Sequence, residues 1–477
     1  MVPATTEREP MPATSRRPAR ALLGGVVAAV VLTGCAPTLV VGSATPAAGQ
    51  VGEVRAADFP IIGATDEVVD QLARNALSDL NTYWQQQLPD TLGTDFTGLA
   101  GGYFSVDPAN VDPAQYPGGE IGCGEPPDAV ADNAFYCPPS SEYPNGDAIQ
   151  YDRSFLRELA DDYGRFLPAL VMAHEFGHAV QARVGYPLQA SIAIETQADC
   201  FAGAWTAWVA DGNAPHTTIR TPELDEVLRG YSLLRDPVGT SVNETEAHGS
   251  LFDRVSAFQD GFDDGPGACR DDFGADRPYT QSEFNPAEAA NNGDASYPVT
   301  QDLITTALPD FWTSAFSGLD EQFQAPVIVP FSGTAPDCGG REPDTDLVFC
   351  AADDTVGYDE TDLAQPVYAD LGDYAVLTAA AIPYSLAARD QLGLSTDDQD
   401  ALRSAICLTG AFTFAVLRGS VSAIQISPGD VDESVQFLLE YSDDPTVLAD
   451  GGLTGFQLVD LFRSGVFGGL SSCGIGG

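Results

Sequence analysis

The sequence predicts an α+β fold dominated by helices, with a small sheet ahead of each of two central helix pairs. Three observations carry this expectation. Apolar residues recur at helical spacing over 166–184 and again over 189–210, closed by Gly185 and by Asp211-Gly212. Short runs such as Ala148-Ile149-Gln150-Tyr151 read as strands. Landmarks spread over residues 59–270 recur in the same order over 299–477.

Composition bounds the rest. Hydrophobic residues make up 44 % of the 477, enough for a sizeable core, while Gly 48 and Pro 34 argue against a coiled coil or plain bundle. Acidic residues number 69 against 21 basic ones, every one an arginine, for a net charge of -48. Such a chain has little with which to neutralise phosphates, which excludes a general nucleic-acid binder. It equally disfavours adhesion to an anionic membrane through surface charge.

The N-terminus is organised as an export signal. Arg16, Arg17 and Arg20 precede an apolar run from Ala21 to Leu32, too short to span a bilayer. The run ends in Leu32-Thr33-Gly34-Cys35, which resembles a bacterial lipoprotein signal, whose cysteine becomes diacylated and N-terminal. Residues 1–34 are then a removed signal peptide. Two acyl chains on Cys35 give stable anchoring, and Ala-, Gly- and Pro-rich residues 35–58 form a tether. The expected place is outside the cytoplasm, held at the cell membrane. The export route stays open. Of nine cysteines, eight remain after Cys35, an even number for an oxidising compartment.

The first helix of the central pair carries His174-Glu175-Phe176-Gly177-His178, which holds two of the 4 histidines in the chain. His174 and His178 are one turn apart, so both imidazoles leave one face and reach one ion. Glu175 lies about 100° round the helix, placed to reach a water at that ion without ligating it. This is the HExxH spacing of zinc peptidases. A third ligand is expected from the next helix, where Glu195 and Asp199 share a face among Ile192, Ile194, Phe201 and Trp205. Glu195 as ligand, with Asp199 holding a ligand histidine by its second nitrogen, suits metal sites. The reverse assignment of the two acids stays open.

With these pieces the chain resembles the bacterial neutral zinc metallopeptidases, including actinobacterial lipoprotein members. The matching stretches stand in family order: Cys123-Gly124, Phe135-Tyr136-Cys137-Pro138, Tyr151-Asp152, HEFGHAVQ from His174, ETQADCFAG from Glu195, and His248-Gly249-Ser250 with Arg254, Phe258, Gly261 and Cys269. The resemblance covers roughly residues 59–270. It implies a zincin-like fold, one Zn2+ on His174, His178 and Glu195, and hydrolysis of a protein or peptide substrate with Glu175 as general base. His248 is the candidate donor to the developing oxyanion, with Tyr151 and Arg254 behind it. His216 reads as ordinary surface. The strand at 148–151 is expected to be an edge strand that pairs with extended substrate.

The second part, 299–477, reads as a degenerate repeat of 59–270, joined by a linker over 271–298. Cys338 and Cys350 echo Cys123 and Cys137; Cys407 and Cys473 echo Cys200 and Cys269. The spacings predict disulfides 123–137, 200–269, 338–350 and 407–473. Placing Gly393 on Gly185 puts Ile382-Pro383-Tyr384-Ser385-Leu386 over the HExxH motif, so this copy builds no such site. The competing function class is a tethered binding or assembly lipoprotein that keeps zinc for structure.

Overall fold

The computed structural model describes residues 51–143, 145–187, 190–448 and 452–476. Cys35, the signal and most of the tether lie outside these. The described residues belong to one compact unit.

The first half opens with helix α1 (Val68–Gln87) and a three-stranded sheet of β1 (Gly102–Val106), β2 (Ala134–Cys137) and β3 (Ala148–Asp152). The strand order is β1-β3-β2, with β3 parallel to β1 and antiparallel to β2. The strand at 148–152 is therefore central and wholly buried, not the edge that was expected. The edge beside the cleft is β2, which pairs with β3 alone. Asp152 then caps α2 (Arg153–Tyr163) by accepting from Ser154 N at 2.7 Å.

The central pair is α3 (Leu167–Val184) and α4 (Ser191–Ala210). Pro168 sits in the first turn of α3, where its missing N–H costs little. The two helices touch at Gly177, where a Cβ would stand 2.9 Å from Ala198 Cα. After α5 (Thr221–Leu234), α6 (Leu251–Asp271) lies backbone to backbone on α4. A Cβ on Gly203 would be 1.9 Å from Phe258 O, and one on Gly261 would be 1.8 Å from Cys200 O. The Cys200–Cys269 disulfide joins the same two helices.

The same order follows in the second half: α7 (Tyr297–Gly318), β4 (Val327–Phe331), β5 (Leu347–Cys350), β6 (Thr355–Asp359), α8 (Gln365–Asp370), α9 (Asp373–Gln391), α10 (Gln399–Leu417), α11 (Asp430–Glu440) and α12 (Gly455–Ser472). Its sheet, β4-β6-β5, repeats the strand order and senses of the first. Gly410 and Gly465 repeat the close approach, with added Cβ atoms 2.0 Å from Phe462 O and 1.9 Å from Cys407 O. All four disulfides join the cysteines in the expected pairs: 123–137, 200–269, 338–350 and 407–473. Stacked rings recur too, Phe166 on Trp205 and Tyr374 on Phe412. Phe96 packs on Phe176 at 5.6 Å, and Phe323 on Tyr384 at 5.9 Å. That last match places Tyr384 where Phe176 stands, and so Pro383 at the position of Glu175.

One large apolar core runs through both halves, and a smaller one around Phe104, Ile121 and Val130 lies under the first sheet. Two stretches that composition assigns to tether and linker are packed. Val54 is buried, its N donates to Asn75 Oδ1 at 3.0 Å and its carbonyl accepts from Gln71 Nε2 at 3.0 Å. Within 271–298, Phe273 is buried beneath the Arg277 guanidinium, and Thr280 N and Gln281 N donate to Asp253 at 2.7 and 3.0 Å.

Candidate metal centre

Helix α3 presents His174 and His178 from successive turns, and α4 presents Glu195 opposite them. His174 Nε2 lies 3.2 Å from His178 Nε2 and 3.2 Å from Glu195 Oε2, and His178 Nε2 is 3.4 Å from the same oxygen. These three side chains form a group able to hold one metal ion. The outward nitrogens are already committed. His174 Nδ1 meets Asp199 Oδ1 at 2.8 Å, and His178 Nδ1 meets Gln181 Oε1 at 2.9 Å. A hydrogen bond at Nδ1 fixes ring orientation and leaves Nε2 for the ion. The donor set and its convergence thus fit Zn2+.

Asp199 stands behind His174, fully buried, and faces away from the trio. Arg254 of α6 grips both its oxygens, Nε to Oδ2 at 2.8 Å and a terminal nitrogen to Oδ1 at 2.9 Å. Arg254 also donates to Leu234 O and lies over the Tyr231 ring. Burial alone would raise the Asp199 carboxyl, but Arg254 and His174 bring it below the usual range. Burial also opposes charge on His174, yet Asp199 overrides it and pushes the imidazole up to about 10. Burial raises Glu195 as well, but its hydrogen bonds to both histidines hold it well below the ordinary range. The carboxylates therefore make this pocket favourable to positive charge, whether carried by protons or by a metal ion.

Glu175 projects from α3 toward β2, where its Oε2 accepts Tyr136 N at 2.7 Å. Burial raises its carboxyl above the ordinary value, against the pull of the two histidines. Across the cleft His248 is half exposed. Its Nδ1 is 3.3 Å from Asp236 Oδ1 and its Nε2 is 3.9 Å from Glu195 Oε2. Asp236 Oδ2 also accepts His248 N at 2.8 Å and Gln281 Nε2 at 3.0 Å, so one carboxylate sets the loop and the ring. The cleft has a volume of about 720 Å³ and is walled by Phe135 and Tyr136 of β2, by Phe155, Leu170 and Val171, and by Tyr186 and His248.

Two sequence expectations change. Tyr151 is buried in the core with its hydroxyl on Asp70 Oδ1 at 2.7 Å, so it offers nothing to the cleft. Arg254 lines the cleft, but its nitrogens are committed to Asp199 and Leu234 O, behind His174. His216 lies outside the cleft, with Nδ1 2.6 Å from Gly52 O. Gln181 and Asp236 were not singled out from sequence. Gln181, one turn after His178, carried a readable signal; Asp236, one acid among many, did not.

The profile of the family described as "Putative neutral zinc metallopeptidase" matches residues 19–273, more than half of the chain. "Uncharacterized protein YpfJ" of Escherichia coli K12 is 29 % identical over 164 residues, 29 % of this chain and 54 % of that protein. "Uncharacterized protein Rv2575" of Mycobacterium tuberculosis H37Rv is 27 % identical over 184 residues, 33 % of this chain and 60 % of that protein. The chain thus spans little more than half the length of these curated relatives. No solved structure matches. By the extent of the profile match, the chain belongs to the "Putative neutral zinc metallopeptidase" family.

Proposed function

We propose that the chain is a zinc metalloendopeptidase acting outside the cytoplasm, anchored to the membrane through Cys35. The observation that carries the reading is Glu175: a carboxylate held by Tyr136 N beside the His174–His178–Glu195 trio, at the wall of an open cleft. A purely structural zinc site has no use for it. Zinc in that trio supplies Lewis acidity toward a water and the scissile carbonyl. Glu175 takes the water proton at its carboxylate and delivers it to the leaving amine. Its raised pKa suits that exchange. Asp236 turns His248 so that Nε2 faces the trio, where a ring protonated on both nitrogens donates to the developing oxyanion. The outer edge of β2, with Tyr136 N held by Glu175 and Ala134 N by Asn133, offers its carbonyls to an extended peptide. The four disulfides favour the extracytoplasmic setting. The second half serves as a duplicated scaffold, with Pro383 at the position of the general base.

Metal analysis and peptide-library cleavage, run for the wild type beside Glu175→Gln, test the reading. One zinc per chain in both proteins is expected, with cleavage reduced about 10²- to 10⁴-fold in the variant. Equal, chelator-insensitive cleavage in both would overturn the peptidase and leave a tethered binding protein with a structural zinc.

A further inference from the structure

A second group of acids lies in the other half of the molecule, among residues that take no part in the cleft. One carboxylate oxygen each of Asp294, Asp373 and Glu433 lies within 4.8 Å of the other two. Asp294 comes from the loop before α7, Asp373 opens α9, and Glu433 sits on α11, so three distant segments converge. Asp430 stands one turn earlier on α11 and repels Glu433. Among the described residues none of these four is salt-bridged, and the arginines that reach α11 bond elsewhere, Arg235 to Asp432 and Arg229 to Leu439 O.

Backbone donors satisfy only part of this charge. Glu433 Oε2 accepts Tyr374 N at 2.8 Å and Ala375 N at 3.2 Å, and Asp430 Oδ2 accepts Ser427 N at 2.7 Å. Asp373 is 7 % exposed; its buried Oδ1 makes no close hydrogen bond, and the backbone N–H groups of Ala295 and Tyr374 ease its charge only in part. A buried carboxylate oxygen without a close donor, beside other acids and no base, is costly unless a cation completes it. Gly372, at φ 131°, makes the room: a Cβ there would stand 2.3 Å from the Glu433 carboxyl carbon.

The donor chemistry selects the ion: carboxylates drawn from three separate segments suit calcium, which takes oxygen ligands in a flexible geometry. Every donor is a hard oxygen, with no imidazole or thiolate to favour zinc. We propose that Asp294, Asp373 and Glu433, with Asp430 beside them, bind one calcium ion that pins the loop before α7 to α9 and α11.

The test uses the full chain loaded with zinc, titrated with Ca2+ by calorimetry and followed by thermal melting. Calcium in the range of about 10⁻⁴–10⁻³ M is expected to bind once and raise the melting temperature. The response should persist in His178→Ala, which separates it from the zinc centre. Asp373→Asn should abolish it, and should melt higher than wild type in calcium-free buffer because a repelling buried charge is gone. Asp294→Ala, on a half-buried loop, should weaken calcium binding by about tenfold or more. Absence of binding to the wild type up to about 10 mM Ca2+, or an equal response in Asp373→Asn and Asp294→Ala, would overturn the proposal.

Discussion

Asp225 of α5 and Asp432 of α11 occupy equivalent places in the two halves, and each caps the terminal helix of the other half. Asp225 accepts Gly455 N at 2.9 Å and Phe456 N at 2.7 Å, at the start of α12. Asp432 accepts Leu251 N at 3.1 Å and Phe252 N at 2.9 Å, at the start of α6. Both carboxylates meet the positive end of a helix dipole. The rings obey the same exchange: Phe252 meets Phe462 edge-on at 6.1 Å, and Phe456 meets Phe258 edge-on at 6.4 Å. Swapped equivalent contacts are the mark of an isologous interface. The halves therefore pack as a two-fold pair within one chain, and each supplies the other with an acceptor for two helix-start N–H groups and with part of its core.

A chain cut after residue 298 loses Asp432, Phe456 and Phe462 together. It leaves Leu251 N and Phe252 N at the start of α6 without their acceptor, though the Ser250–Asp253 capping box remains, and bares Phe252 and Phe258, both buried in the intact protein. Such a fragment is expected to aggregate or to lack a cooperative melt by circular dichroism. A monomeric fragment that melts cooperatively and binds zinc would refute the mutual dependence.

Single substitutions separate the two caps. Removing either carboxylate strands two backbone donors, a loss of about 1–3 kcal/mol. Asp432→Ala should sit at the upper end, since Arg235 also loses its partner. It should also weaken zinc binding, because α6 carries Arg254, which grips Asp199. Asp225→Ala caps only α12 and should leave zinc affinity unchanged. Urea midpoints and zinc competition titrations on both variants read the difference.

Much of this site was legible because its signals are local or counted. The HExxH spacing needs one helix, and the cysteine pairs need only matched separations. Strand order is different: Ala148–Asp152 has the same composition whether central or at an edge, and pairing with Gly102–Val106 depends on a segment 46 residues earlier in sequence, not on its own pattern. Tyr151 looked available because its partner, Asp70, lies on α1. Asp236 was hidden for a related reason, since among 69 acids nothing in the sequence marks the one that turns a histidine. Val54 was read as tether because Ala- and Gly-rich neighbours mask a single side chain that docks on α1.

The partners of the two histidines make unequal demands. Gln181→Ala frees His178 Nδ1, and Asp199→Ala frees His174 Nδ1; each should weaken zinc binding about 10- to 100-fold. Only the second also strands the buried Arg254 guanidinium, at a further cost of about 3–5 kcal/mol. Zinc titration should thus show both variants impaired, while denaturation shows Asp199→Ala far less stable than Gln181→Ala. Equal stability would mean that Arg254 finds another acceptor.

Arg463 of α12 joins the halves by meeting Asp260 and Asp263 of α6 and Asp460 of its own helix. One guanidinium shared by three acids cannot hold all of them ionised. Burial, then Asp460, with smaller contributions from Asp264 and Asp260, push the Asp263 carboxyl up to about 6 against the pull of Arg463. Arg277 compensates Asp260 alone, at 2.8 Å. Between the ordinary carboxylate value, about 3.9, and about 6, the native Asp263 keeps a proton that the unfolded chain has released. Its contribution to stability is therefore complete below the ordinary value and is lost as pH rises through about 6. Asp263→Asn stays neutral throughout. Melting temperatures from pH 4 to 7.5 should show the variant gaining on the wild type across this window and holding a constant lead above it. The lead should be small, because the Asp263 side chain is 37 % exposed and screened by solvent. A gap that stays flat with pH would mean that Asp263 is ionised throughout and that Arg463 balances all three carboxylates.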